Sequence, residues 1–373
     1  MARKTESDNA VSTRSAASLK NLRSTIDRLD LQILKLVNER AALASEIGKV
    51  KSDHGSEVFS PSREEEVYQN VLENNKGPLD AATIRAIYRE IMSGARALQK
   101  VLKIAYLGPE YSFSHLAAVE RFGQQVDFIG VGSIPAVFEE VNRSHVDFGV
   151  VPLENSTDGG VSDTLDMFTR MPQLKIVAEV RLNVHHHLIA NCEQQQIRRV
   201  YSKPQALSQC RNWLSKNVPY AQQIEVSSTA AAVRLAQQEP GAAAVASRHA
   251  AVHFNVPILF QNIEDYPNNE TRFAVIGTQE VGKTGHDKTA IMFRVGHNPG
   301  SLVNVLEVFK ASKINLTWIE SFPARGAKPA YLFFVDFEGH TEDPKVKRVL
   351  ATLEEQCEEL ILLGSFPMAT VSG

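Results

Sequence analysis

From residue 22 to residue 50 the apolar side chains Leu22, Ile26, Leu29, Ile33, Leu36, Leu43, Ile47 and Val50 recur at steps of four and three. That spacing predicts one long helix with a single apolar stripe. The step after Leu36 lands on Arg40, so a guanidinium occupies a stripe position. The helix is expected to end near "SDHGSEVFSPS", where Gly55 and Pro61 interrupt the pattern. A second helix starts after Ser62 with "REEEVYQNVLENN", acidic in its first turn as the helix dipole favours. "KGPLD" breaks it, and "AATIRAIYREIMSGARALQK" makes a third. Residues 19–100 therefore read as an all-α block. One long and two shorter helices have little core of their own, so the block is expected to pair with a second copy. Residues 1–18 are polar and lack an apolar h-region; they read as a disordered tail rather than a secretory signal.

At Val101 the pattern changes. Short apolar runs such as "LKIAYLG", "VDFGVVPLE" and "GAAAVA" alternate with helical stretches as far as about Thr278, the signature of a parallel α/β block over residues 101–280. Residues 288–368 then spell strand, helix, strand, strand, helix, strand, which predicts an α+β ferredoxin-like unit after the linker "EVGKTGHD". The chain is thus multidomain.

Charge and composition narrow the function classes. A net charge of −3 over 373 residues argues against nucleic-acid or membrane-surface binding by the whole chain. No apolar run is long enough to span a bilayer. The three cysteines form no CxxC and cannot all pair within the chain, so a reduced, cytoplasmic setting is expected.

Lys51 follows Arg40 by eleven residues, about three helical turns, so both project from one face. Two cations in an apolar seam repel unless an anion lies between them. Arg63, Glu64 and Gln99 are available from the neighbouring helices, which favours an anion site over pairing of Arg40 with a buried Glu. In the α/β block, strands open onto helices through "GPEYSFS", "ENSTDGG", "YSKPQ", "VSSTA" and "ASR". Such turns present hydroxyls and N–H groups at positive helix ends, and five of them suggest a cleft for a small carboxylate. There is no GxGxxG or P-loop to bind a nucleotide. In "VHHHL" the histidines His185–His187 have no carboxylate or Cys partner at convincing spacing, so no metal is expected. His115 reads as a helix-surface residue.

Residues 19–100 resemble the all-helical class of chorismate mutase, on Arg23, "NER" with Arg40, "GKVK" with Lys51, "SREEE" with Arg63 and Glu64, and Gln99. The resemblance implies an interlocked dimer in which Arg40 and a second copy's Arg23 hold the two carboxylates of chorismate. Lys51 and Gln99 would donate to the breaking ether oxygen, Glu64 would take the ring hydroxyl, and Arg63 would support the set. Ala95 and Ser60 stand where some members have Ser and Asp. The step is pericyclic, so a locked conformation and well-aimed donors suffice.

"GPEYSFS", "ENSTDGGVSDTLD" and "NNETRFAVI" make residues 101–280 resemble prephenate dehydratase, which implies two lobes similar to periplasmic binding proteins. By that resemblance Thr271 assists departure of the ring hydroxyl. The polar positions expected around prephenate are Ser112, Asn155, Ser156, Thr164, Ser202, Gln205, Ser228, Thr229 and Arg272. Lys203 replaces the His found in many members. "NPGSLVNVL" and "NLTWIESFPAR" resemble the ACT domain, which usually pairs and binds phenylalanine. Asn298, Gly300, Ser301, Leu302, Glu320 and Ser321 are the positions implied, with Phe322 where an Arg is common. Together the three blocks resemble fused chorismate mutase–prephenate dehydratases of phenylalanine biosynthesis, feedback-regulated, assembled as a homodimer or larger, and needing no cofactor. Two alternatives stay open: a dehydratase that prefers arogenate, and a non-catalytic amino-acid sensor.

Overall fold

The computed structural model of the chain describes residues 2–53, 58–323, 331–369 and 371–372, with side chains over 18–51, 58–323 and 331–369. Gly55 and the "AR" of the "ESFPAR" motif lie outside the described residues.

Helix α1 spans Ala2–Asp53, α2 spans Pro61–Glu73 and α3 spans Ala81–Ala97. The expected disordered tail instead continues α1, because no Gly or Pro interrupts the chain before Gly48. Ser60 caps α2 by accepting from Arg63 N at 3.4 Å, and Asp80 caps α3 by accepting from Thr83 N at 2.8 Å. The α1 stripe lies open within one chain: Leu22, Ile33 and Leu36 are 58–64% exposed. No described helix is long and apolar enough to cross a membrane.

The first lobe of the α/β block holds β1 (Lys103–Leu107), α4 (Phe113–Phe122), β2 (Asp127–Val131), α5 (Ile134–Asn142), β3 (Phe148–Asn155), β4 (Gly159–Gly160), α6 (Ser162–Arg170) and β5 (Lys175–Asn183). The second holds β6 (His187–Ala190), β7 (Arg199–Ser202), α7 (Pro204–Gln209), α8 (Arg211–Asn217), β8 (Gln222–Glu225), α9 (Thr229–Gln238), β9 (Ala242–Ala246), α10 (Arg248–His253) and β10 (Ile258–Phe260). Strand β11 (Glu270–Gly277) returns the chain to the first lobe. Only part of each sheet is parallel. Strand β11 runs antiparallel to both β3 and β5, since the chain leaves the first lobe along β5 and comes back beside it. Likewise β6 runs antiparallel to β9 and β10.

The last unit contains β12 (Asp287–Arg294), α11 (Ser301–Ala311), β13 (Leu316–Pro323), β14 (Tyr331–Glu338), α12 (Pro344–Gln356) and β15 (Glu359–Pro367). Its antiparallel sheet has the order β13-β14-β12-β15. Val305, Phe309, Val349 and Leu353 from the helices cover Ile291, Phe293, Val335 and Phe337 on one face. The other face, through Met292, Phe334 and Phe366, shares a core with Phe138, Ile176 and Ile276 of the first lobe. A Cβ on Gly364 would stand 2.3 Å from the Ile176 carbonyl, so only glycine permits this approach of β15 to β5. The chain ends in β16 (Val371–Ser372), parallel to β5.

The helical block is anchored to the α/β block by Phe59. This ring is 1% exposed and lies 4.9 Å from Phe122 and 5.0 Å from Phe148.

Candidate active sites

A cavity of about 280 Å³ opens among the three helices of the first block. Arg40 and Lys51 on α1, Arg63 and Glu64 on α2, and Arg96 and Gln99 at the end of α3 supply its polar wall. Ile47 and Met92 contribute to the apolar part. The stripe position taken by Arg40 thus faces a pocket. Arg63 is largely exposed at the rim and pairs with Glu66 at 2.7 Å. Gln99 is brought against α1 by Gly48: a Cβ there would stand 2.4 Å from Gln99 Cγ. The Gln99 amide donates at 3.4 Å to the Ala95 carbonyl, while its Oε1 is buried without a partner. Glu64 is buried, and its two oxygens accept from Arg96 and from Arg121 of α4. Arg96 was not singled out from sequence; a lone Arg late in a helix carries no pattern. Arg23 lies on the same helix as Arg40, seventeen residues away, or about 25 Å along the axis, and is exposed. It does not line this pocket.

A second cavity, of about 340 Å³, lies between the two α/β lobes. Ser112, Asn155, Gln205, Ser228, Thr229 and Thr271 line it. Ser112 and Ser228 cap α4 and α9, accepting from His115 N at 3.3 Å and Ala231 N at 3.0 Å. Both helix starts therefore point N–H groups toward the cleft, where an anion is favoured.

The Thr271 hydroxyl accepts from Asn155 Nδ2 at 2.8 Å. The same amide donates to Asn269 Oδ1 at 3.0 Å, and Asn269 Nδ2 donates to Gln209 Oε1 at 3.0 Å. His186 Nε2 donates to that same oxygen at 3.0 Å. This leaves His186 Nδ1 buried without a partner, and burial lowers the imidazole pKa below its ordinary value. Asn269 and Gln209 were missed from sequence, and His186 was weighed there only as a metal ligand. Gln209 follows Gln205 by four residues, the spacing that puts both on one face of α7.

Four of the expected substrate positions do not line the cleft. Thr164 bonds the Pro152 carbonyl at 2.6 Å and Ser202 the Val245 carbonyl at 2.6 Å, both fully buried. Ser156 accepts from Glu270 N at 2.9 Å and pins the start of β11. Arg272 points to the opposite face of β11 from Thr271, because strand residues alternate. There it pairs with Glu179 at 2.8 Å and with Asp336 of β14, while Lys288 reaches Glu179 at 3.1 Å.

The three histidines each take a different partner: His185 meets Glu264 at 2.7 Å, His186 takes Gln209, and His187 Nδ1 accepts from Asn262 N at 3.2 Å. Among the described residues no group of three or more His, Cys, Asp or Glu is placed to hold a metal. His115 is buried rather than on the helix surface; its Nδ1 accepts from Tyr111 N at 3.2 Å, and burial lowers its pKa.

The chorismate mutase type II family model matches residues 22–100, and the prephenate dehydratase model matches residues 104–281. A bifunctional chorismate mutase/prephenate dehydratase of Aquifex aeolicus is 44% identical over 94% of this chain and 98% of its own length. That of Pseudomonas aeruginosa is 42% identical over 95% and 98%. The chain belongs to the bifunctional chorismate mutase/prephenate dehydratase family. Among solved structures, the prephenate dehydratase from Arthrobacter aurescens in complex with L-Phe has a TM-score of 0.67 at 28% identity, over 73% of this chain and 93% of that one.

As a member of this family the chain rearranges chorismate to prephenate and then dehydrates and decarboxylates prephenate to phenylpyruvate. The two pockets suit those two steps differently. The mutase step needs a dianion held in one conformation, and the helical pocket offers cations on an apolar floor. The dehydratase step needs carboxylates anchored and a proton delivered to a departing hydroxyl, and the cleft offers helix starts and a hydroxyl on a hydrogen-bonded chain.

In the C-terminal unit Gly300 has φ 90 and caps α11. Ser301 lines a cavity of about 600 Å³ beside Gly296 and Asn304. Leu302 packs at the edge of the unit's core. Glu320, on the edge strand β13, lies against Gly160 of the first lobe. Neither Glu320 nor Ser321 is part of that cavity wall.

Proposed function

We propose that the helical pocket is the mutase site and the interlobe cleft the dehydratase site, with the residue roles as follows. Arg40 and Arg23 of a second copy hold the chorismate carboxylates, Lys51 and Gln99 donate to the ether oxygen, and Glu64 accepts the ring hydroxyl. The exposed α1 stripe supports the second copy, since an apolar face of that length is costly in water. In the cleft, Ser112, Asn155, Gln205, Ser228 and Thr229 surround prephenate, and Thr271 assists loss of the ring hydroxyl. The observation that carries this reading is the Thr271 hydroxyl at the end of the Asn155–Asn269–Gln209 chain inside the cleft.

Residues 19–100, 101–280 and 288–368 form the mutase, dehydratase and ACT domains of a cytoplasmic homodimer or larger homo-oligomer. Phenylalanine binds near 298–302 and 320–321 and inhibits. The left-handed Gly300 at a helix start and the L-Phe complex of the Arthrobacter dehydratase support this assignment.

Replacing Thr271 tests the catalytic part. Thr271→Ala is expected to lower prephenate turnover about 100-fold or more, and Thr271→Ser to retain most of it. Full dehydration by Thr271→Ala would move the proton donor elsewhere.

A further inference from the structure

Glu64 stands in the wall between two cavities. One is the mutase pocket; the other lies at the junction of the helical block with the first lobe and the C-terminal segment. Its side chain is 9% exposed, so it needs fixed positive partners to remain charged. One partner, Arg96, belongs to the helical block. The other, Arg121, comes from α4 of the dehydratase domain and donates to Glu64 Oε2 at 2.7 Å. The C-terminal end of α4 holds Arg96 as well, through the Phe122 carbonyl. Both guanidiniums lie over the Phe59 ring, at 5.5 and 4.8 Å. Arg96 Nε is buried without a partner.

We propose that Arg121 is a positioning residue for the mutase reaction: reaching across the domain boundary, it fixes Glu64 and completes a site otherwise built from the helical block. The proposal rests on the assignment of Glu64 as acceptor of the chorismate hydroxyl. A carboxylate has about four acceptor positions on its two oxygens, so the two Arg contacts leave room for that hydroxyl. The trio of one carboxylate and two guanidiniums also carries net positive charge, which adds to Arg40, Lys51 and Arg63 in holding a dicarboxylate. With Arg121 absent, Glu64 keeps only Arg96, gains freedom to turn, and holds its proton to higher pH.

The test uses the full chain and reads both activities on each preparation. Arg121→Met is expected to lower mutase kcat/KM about tenfold or more and to move the acid limb of its pH profile up by about one pH unit. Prephenate turnover should stay within about twofold, which also reports that the domain is folded. Arg121→Lys, which restores the charge without the fork, should recover part of the loss and return the acid limb. Glu64→Gln is the control for the assignment beneath the proposal. If it leaves mutase activity intact, the role of Glu64 is wrong. If it abolishes activity while Arg121→Met matches wild type in kcat/KM and pH profile, the positioning role is overturned and the assignment stands. A parallel fall of both activities in Arg121→Met and Arg121→Lys would make Arg121 a structural strut and also overturn the proposal.

Discussion

Gly48 sits within the unbroken helix α1, and Gln99 lies directly on it. In an exposed helix Gly→Ala would stabilise by about 1 kcal/mol. Here the added methyl displaces the Gln99 side chain from the wall of the helical pocket proposed as the mutase site. Gly48→Ala is expected to lower mutase kcat at least about tenfold with prephenate turnover unchanged, as steady-state assays of both steps would show. His186 makes a second prediction. Its folded pKa lies below the ordinary value of 6.5 because burial opposes the charged ring. Below about 6.5 the unfolded chain binds a proton that the folded chain resists, so this stability is full above that pH and is lost as pH falls toward the folded pKa. The melting temperature should therefore drop between pH 7 and 5, and His186→Gln should flatten the drop. Arg40 was legible from sequence because it broke a regular stripe. Arg96, Asn269 and Gln209 broke no pattern, and their placement depends on contacts between distant segments.

Strand β11 shows how one element serves two purposes. Thr271 faces the cleft, and the next residue, Arg272, faces the C-terminal sheet. The resemblance assigned both to the substrate site. Strand alternation separates them. Arg272 is 5% exposed, with Glu179, Asp336 and Lys288 completing a buried cluster that joins β5, β11, β12 and β14. Removing one member leaves its partners under-compensated. Asp336→Ala is expected to destabilise by about 3 kcal/mol, seen as a lower urea midpoint. An unchanged midpoint would show that the cluster adds little to the joint between the sheets. The other helices and many strands followed from periodicity, whereas β2, α5, β5 and β10 were not read from the sequence. Strand β2 is an edge strand with exposed and half-buried positions, which blurs its period.

Across the whole molecule, the order of the three blocks was readable because the hydrophobic period changes at each boundary. Their joints were not. Phe59, Arg121, Arg272 and the Gly364 approach are each single residues whose meaning appears only when the blocks are packed. The structure makes one chain of two separate pockets, one cationic among helices and one polar between lobes. The most direct test supplies chorismate to full-length Gln99→Ala and Thr271→Ala chains and follows both products. Thr271→Ala should accumulate prephenate, and Gln99→Ala should leave chorismate untouched yet convert added prephenate to phenylpyruvate. If either substitution removed both activities to the same extent in a folded protein, the assignment of the two steps to two independent sites would be contradicted.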